Sequence, residues 1–292
     1  MERILVTGGG GQLASDLEAL LERDAEVVAP TRAQLDVTDD AAVESVFASL
    51  RPTTVFNCAA FHNVEVCERE EDQAFAVNVR AVKRLATRCA ETDAQFVHLS
   101  TNYVFDGTAE SAYDETDVPN PRSIYAISKL AGEYAALTYA PNALVVRTAG
   151  LYGMHGSVSK GGNFVTRMIA RAREQGALKV VADQRLTPTF TADLADGLVA
   201  AAGAGVTGVL HMTNSGATSW HGFTEAIMEL AGVQVDVEPA TTTIAPGGAD
   251  RPLNGVIASS VAQSAGLAPL RPWRDALTDY LERAGLLAVT AA

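Results

Sequence analysis

The stretch VTGGGGQLASDL (residues 6–17) sets four glycines between an apolar run and a segment of helical spacing. Upstream, RILVTG (3–8) reads as a buried strand; downstream, residues 12–23 carry Leu13, Leu17, Leu20 and Leu21 at helical intervals. Gly8 and Gly11 let the chain turn tightly and let a pyrophosphate approach the backbone, while the start of the helix supplies N–H donors. Ala14 takes the third small position, where helix and strand pack closely. Glycines also make plain turns, so the reading depends on the pattern of the chain beyond them.

That pattern is an alternation. AEVVAP (25–30) is a second strand, TDDAAVESVFASL (38–50) a helix opened by Thr38 and acidic residues, and TTVFNCAA (53–60) a third strand. Residues 71–92 form a long amphipathic helix, AQFVHLS (94–100) a fourth strand, 124–138 another helix and ALVVRT (143–148) a fifth strand. Unbroken apolar strands separated by helices imply a parallel sheet covered on both faces, an α/β doubly wound fold of Rossmann type. After residue 150 Gly and Thr become frequent, as in SVSKGGN (157–163) and TTTIAPGGADRP (241–252), which suggests a smaller C-terminal α/β lobe and a cleft between the two. The expected division is 1–152 plus about 181–212 for the nucleotide-binding part, and about 153–180 plus 213–292 for the lobe. There is no internal repeat or low-complexity tract.

The chain has 292 residues, 48% of them hydrophobic, and a net charge of −13. That balance fits a globular protein with a sizeable core and argues against a nucleic-acid binder, whose footprint is basic. Cys58, Cys67 and Cys89 form no CxxC pair and have no His at zinc spacing, so three reduced cysteines and no metal are expected. MERILVTGG enters a strand at once and no apolar run approaches the length of a membrane span, so neither a signal peptide nor a membrane partner is expected, and the expected location is cytoplasmic.

Three further stretches bear on chemistry. The second strand ends in Ala29-Pro30-Thr31-Arg32, without the acidic residue that would hold the ribose of NAD. Arg32 suits the 2′-phosphate of NADP, with a solvated loop arginine as the equal alternative. Asp36 in LDVTD contacts the adenine side of such a cofactor or caps the next helix. SIYAISKLAGE (123–133) places Tyr125 and Lys129 on one helix face. A phenol titrates near about 10, and an adjacent ammonium favours the phenolate and draws it toward working pH. LSTNYVFDG (99–107) ends the fourth strand in hydroxyls and amides, the lip of a site in this setting.

Together TGGGGQLA, LDVTD, NCAAFHNVEVCERE, AVNV, STNYVFDG, YAISKLAGE, VVRT, GGNFVTRM, DQRLTPT, TSWHGF and RPLN, in that order over residues 3 to about 255, resemble the extended short-chain dehydrogenase/reductase family, and within it the dTDP-4-dehydrorhamnose reductase branch. The resemblance implies reduction of a nucleotide-linked 4-keto deoxysugar with NADP(H) or NAD(H). It implies that Thr101 bonds the substrate carbonyl, that Tyr125 delivers a proton, and that Lys129 holds the nicotinamide ribose and tunes Tyr125. It also implies that Gly8, Gly11, Gln12, Leu13, Asp36, Val37, Ala59, Ala60 and Asn78 line the cofactor, although a polar Asn78 within an apolar stripe also reads as a satisfied core amide. Asn102, Tyr103, Asn163 and Arg251 become the expected substrate contacts, with Lys160 a further partner for a diphosphate or simply a loop lysine. His62 and His155 are read as binding or packing residues, and a homodimer as one expected assembly.

Two positions depart from that pattern. Asn102 stands where the branch usually has aspartate, and Gly150, in RTAGLYG, where it commonly has a tryptophan facing the sugar. Hydride chemistry needs neither, so the sugar follows less firmly than the reaction. A different 4-keto sugar, acted on by a reductase or an epimerase, is one alternative. Another is a non-catalytic NADP-binding regulatory subunit similar to that of methionine adenosyltransferase.

Overall fold

A computed structural model of the chain describes residues 1–155 and 162–288. From the N-terminus, β1 (Arg3–Thr7) leads into α1 (Gln12–Leu21), β2 (Glu26–Val28), α2 (Asp40–Leu50) and β3 (Thr54–Asn57). Short helices α3 (Val64–Cys67) and α4 (Glu71–Phe75) run into a π-helical turn (Ala76–Ala81) and α5 (Val82–Glu91). Then come β4 (Gln95–Thr101), a 3₁₀ turn (Asn102–Val104), α6 (Ile124–Tyr139) and β5 (Leu144–Thr148). The second half holds β6 (Leu151–Tyr152), α7 (Phe164–Gln175), β7 (Ala177–Val181), β8 (Arg185–Leu186), β9 (Thr189–Phe190) and α8 (Thr191–Gly203). It closes with β10 (Gly208–His211), β11 (Thr218–Ser219), α9 (Trp220–Leu230), β12 (Asp236–Ala240), α10 (Ser260–Ser264) and α11 (Trp273–Arg283).

Six parallel strands form the central sheet in the order β2-β1-β3-β4-β5-β10. Period-two alternation divides their side chains between two cores. Leu5, Val55, Phe96 and Val145 face α2, α5 and α6, while Ile4, Val6, Phe56, Val97 and Val146 face α1 and α8. Both faces are covered, which is why β1, β3 and β5 read as apolar runs, whereas the edge strand β2 is largely exposed. After β1 the chain moves to β2 on one side, and it returns through β3 on the other. Such a reversal opens a crevice at the carboxyl ends of the two central strands.

A third core gathers Tyr152, Phe190, Phe223 and Tyr280 with Ile169, Leu178, Ile227 and Leu281, beside the parallel pair β7–β12. The stretch 213–292 does not stay wholly with it, since Val261, Leu267 and Leu270 pack on the α1/α8 face of the sheet. Among the described residues, no helix is long and apolar enough to cross a membrane.

The long helix expected at 71–92 is broken by the π-helical turn at Ala76–Ala81. There α6 comes so close that a Cβ on Gly132 would lie 2.2 Å from the Asn78 carbonyl oxygen. We therefore expect Gly132→Ala to force the helices apart and lower stability by about 1–3 kcal/mol. Gly203→Ala, at a helical position with no atom within 4 Å, should be neutral or stabilising by up to about 1 kcal/mol. Thermal melts of the two variants check the contrast.

Candidate active site

The glycine turn sits against the ends of the two flanking strands. Gly9 N–H donates to the Pro30 carbonyl at 3.0 Å. Gly8 has φ of 79°, and a Cβ there would meet Ala59 N at 2.9 Å, so only glycine lets the two loops touch. α1 starts at Gly11 with no side-chain cap and no acidic residue in its first turn, which leaves its N–H groups open to an anion. The Gln12 amide oxygen is buried without a partner, and Leu13 is buried beside it. An uncapped helix start and a missing Cβ fit a dinucleotide's pyrophosphate, while the orphaned amide oxygen is an acceptor that suits a hydroxyl donor.

Behind the turn, Ala59 N–H donates to Thr7 Oγ1 at 3.3 Å and Thr7 donates to Asn57 Oδ1 at 2.6 Å. The Asn57 amide nitrogen meets His98 Nδ1 at 3.0 Å, and burial holds His98 far below its ordinary value, hence neutral. Ala60 is half-buried next to Ala59. Arg32 is exposed and lies 3.8 Å from the Asp36 carboxylate, a contact worth little in water. Asp36 accepts from Thr38 N at 2.9 Å and Thr38 Oγ1 at 2.7 Å, bonds that lower its pKa. It does not cap α2; Asp39 does, accepting from Ala41 N and Ala42 N. Val37 is buried, and its carbonyl accepts from Arg84 at 2.8 Å.

On the facing side, α6 is set at its start by Ser123 and Glu68. Ser123 Oγ accepts from Ala126 N at 3.3 Å, and Glu68 Oε1 accepts from Ile124 N at 2.8 Å. Tyr125, Lys129 and Glu133 lie at successive turns of one stripe. The half-buried Tyr125 hydrogen-bonds with Thr101 through its phenol, and the Tyr103 ring meets it edge-on with centroids 5.9 Å apart. Burial pushes the phenol well above its ordinary value and the Thr101 bond opposes this. The expectation that Lys129 draws it down is corrected, because Lys129 Nζ donates to the Leu99 carbonyl at 2.5 Å and burial dominates at the phenol. Burial brings Lys129 itself down to about 8, opposed by the charge of Glu133.

The remaining expected residues separate by what their side chains hold. Asn78 is buried and engaged: Oδ1 accepts from Phe61 N at 2.9 Å, and Nδ2 donates to Phe61 O at 3.0 Å and to Ser128 Oγ at 2.9 Å. Ser128 Oγ in turn donates to the Tyr125 carbonyl at 2.8 Å. Asn78 therefore ties the loop after β3 to the helix of Tyr125. Asn163 is the cap of α7, accepting from Thr166 N at 3.0 Å and donating to Gly153 O at 2.8 Å and Tyr280 OH at 2.7 Å. Both amide hydrogens are used inside the protein, so a contact with substrate would require Asn163 to exchange one of them. Arg251 pairs with Glu65 at 2.8 Å and hydrogen-bonds Tyr103, which places it beside Tyr125. Lys160 lies outside the described residues.

The two departures have local causes. Asn102 Nδ2 donates to the Gly255 carbonyl at 2.8 Å, a bond a carboxylate does not make. Gly150 has φ of 57°, and a Cβ there would lie 2.8 Å from Leu186 Cδ1 and 3.1 Å from Pro188 Cα. Leu186 and Pro188 thus close on the space from which a side chain would grow.

Sequence reasoning passed over Glu133, whose two oxygens accept from Arg147 at 3.0, 3.2 and 2.7 Å, with Ser100 Oγ donating as well. Arg147 continues to His211 Nε2 at 3.3 Å and lies over the Phe105 ring. The one sequence signal was the repeat of four from Tyr125 through Lys129. Among the described residues, no group of three or more His, Cys, Asp or Glu is arranged to hold a metal ion.

The family model for the RmlD substrate binding domain matches residues 1–285. A dTDP-4-dehydrorhamnose reductase of Mycobacterium tuberculosis is 42% identical over 287 residues, covering 96% of this chain and 92% of that one. A dTDP-4-keto-6-deoxy-D-glucose reductase of Streptomyces niveus is 40% identical, covering 95% and 96%. Among solved structures, a dTDP-4-dehydrorhamnose reductase of Bacillus anthracis in complex with NADP superposes with a TM-score of 0.92 at 31% identity, over 97% of this chain and 99% of that one.

Asn102→Asp tests the Gly255 contact. A buried carboxylate facing that carbonyl should cost about 1–3 kcal/mol at neutral pH. Burial raises the new acid's pKa, so the penalty is present above that value and fades as pH falls through it. Melting temperatures should therefore differ most at about pH 8 and converge toward about pH 5, where the protonated acid donates again.

Proposed function

Because the chain belongs to the RmlD substrate binding domain family, we propose that it reduces the 4-keto group of a dTDP-linked 6-deoxyhexose with NAD(P)H, converting dTDP-4-dehydrorhamnose to dTDP-rhamnose. The observation that carries this reading is one constellation. The Tyr125 phenol is hydrogen-bonded with Thr101 at the carboxyl end of β4, and Lys129 stands one turn along the same helix face. The bound nicotinamide supplies hydride to the carbonyl carbon.

The protein's own groups do the rest. Thr101 Oγ1 orients the carbonyl oxygen beside the phenol. Tyr125 keeps its proton at neutral pH because burial opposes the phenolate, and so it is loaded to protonate the alkoxide as that forms. Lys129 has one N–H on the Leu99 carbonyl, and its other donors suit ribose hydroxyls. The start of α1 takes the pyrophosphate and Arg32 the 2′-phosphate of NADPH, for which the exposure of its side chain supports the role. Arg251, beside Tyr103, would trade Glu65 for the sugar's diphosphate. The core clusters support a cofactor unit of 1–152 with about 181–212 except at its edges, where Tyr152 and Phe190 pack in the core of the smaller lobe. The net charge of −13 supports a protein without nucleic-acid partners.

A second sugar is favoured by two observations: Gly150 in place of a side chain, and the near-equal identity to the Streptomyces niveus enzyme. The intact constellation of Thr101, Tyr125 and Lys129 speaks against a purely regulatory subunit.

Tyr125→Phe should lower kcat by about 10²–10⁴-fold while NADPH binding, followed by fluorescence, stays as in the unaltered protein. Near-normal turnover would refute the assignment. Arg32→Ala should raise KM for NADPH by roughly tenfold or more, the loss of one charge-assisted bond, and leave KM for NADH unchanged. Parallel losses with both cofactors would remove Arg32 from the 2′-phosphate.

A further inference from the structure

Lys129, Glu133 and Arg147 are all buried, at 2%, 2% and 4% exposure. An ammonium in such a place needs a counter-charge. The groups around Lys129 are Glu133 on α6, His98 and the Leu99 carbonyl on β4, and Cys58 just past β3, with Tyr125 one turn before it on the same helix face. Burial pushes the Cys58 thiol up to about 12, raises the Tyr125 phenol and keeps His98 uncharged. Glu133 forms its own ion pair with Arg147, yet it stands one turn along the same buried helix face as Lys129, and Ser100, which follows Leu99 in β4, donates to it, so its carboxylate lies next to the Lys129 ammonium's anchor. Its carboxylate cannot swing away, since Arg147 on β5 binds both oxygens and Ser100 on β4 donates to one. Arg147 is steadied in turn by His211 on β10.

We propose that Glu133 is a positioning residue, whose carboxylate, clamped by Arg147 and Ser100, holds Lys129 as an ammonium on the Leu99 carbonyl and so keeps the ribose-binding donor in place. The inference deepens the proposed function and rests on it for the role of Lys129, but the charge state of Lys129 is measurable without turnover. A purely structural Glu133 would affect stability and leave that charge state alone.

The chain's lysines are Lys83, Lys129, Lys160 and Lys179, few enough to follow Nζ by NMR in ¹⁵N-lysine-labelled protein, with Lys129→Arg assigning the signal. Lys129 should titrate at about 8 in the unaltered protein. In Glu133→Gln it should titrate below about 7, since an opposite charge at this range moves an ammonium by roughly 1–3 pH units. Glu133→Asp should restore a value near 8. Should the single variant not fold, Glu133→Gln with Arg147→Met removes both ends of the pair, a change buried ion pairs tolerate better than the loss of one. Lys129 should still move down there, by less. The alkaline limb of kcat against pH should shift the same way. An unmoved Lys129 midpoint in either carboxylate-free variant overturns the proposal. Absence of turnover with every keto sugar would overturn the proposed function instead, because the NMR titration would stand.

Discussion

A buried ammonium has to be neutralised where it sits, and much of this architecture derives from that constraint at Lys129. The helix that carries it places Glu133 one turn on, Glu133 requires Arg147 and Ser100, and Arg147 leans on His211 and the Phe105 ring. Compensation thus runs from the cleft across β4 and β5 to the edge strand β10. Breaking one end of such a pair costs about 3–5 kcal/mol, a large share of the roughly 5–15 kcal/mol by which a domain is stable. The same helix must also stand at a fixed depth. Gly132 lets it ride on the Asn78 carbonyl, Ser128 binds the Asn78 amide, and Glu68 with Ser123 closes its N-terminus. Tyr125 inherits its position from these contacts before any ligand is considered.

The sheet and its helices were legible because β1, β3 and β5 are apolar runs between segments of helical period, and because a sheet covered on both faces demands that pattern. The glycine turn was legible for a related reason, since a tight approach to Ala59 excludes a side chain at Gly8. That Tyr125, Lys129 and Thr101 come together was legible in part through local spacing and strand position. What escaped depended on partners distant in sequence. Nothing near Asn163 announces that Gly153 and Tyr280 will take its amide, and nothing near Arg251 announces Glu65. Asp36 and Asp39 both suit a helix cap, and only the backbone path chooses Asp39. The upward shift of the Tyr125 phenol comes from desolvation, which spacing along the helix does not reveal.

The substrate side shows why reaction and substrate separate here. The proposed reacting groups stand on β4 and α6, both fixed by the sheet. The proposed sugar side consists of the 3₁₀ turn, the strap around Gly255 and the segment Arg185–Phe190, which come from different parts of the chain and are joined by the Asn102 bond to Gly255 and a pair of backbone bonds at Arg185. At Gly150 the approach of Leu186 and Pro188 reshapes the wall that a side chain would otherwise supply. Changes of this kind alter which sugar fits and leave the hydroxyl, phenol and ammonium untouched.

The central claim is that this cleft directs hydride to C4 of a dTDP-linked keto sugar while Tyr125 protonates the oxygen. It is tested most directly by turnover of dTDP-4-dehydrorhamnose with NADPH deuterated at the reactive position of the nicotinamide, followed by mass spectrometry and NMR of the sugar. The account predicts a dTDP-linked 6-deoxyhexose carrying one deuterium at C4. Unchanged keto sugar, or deuterium at any other carbon, would contradict it.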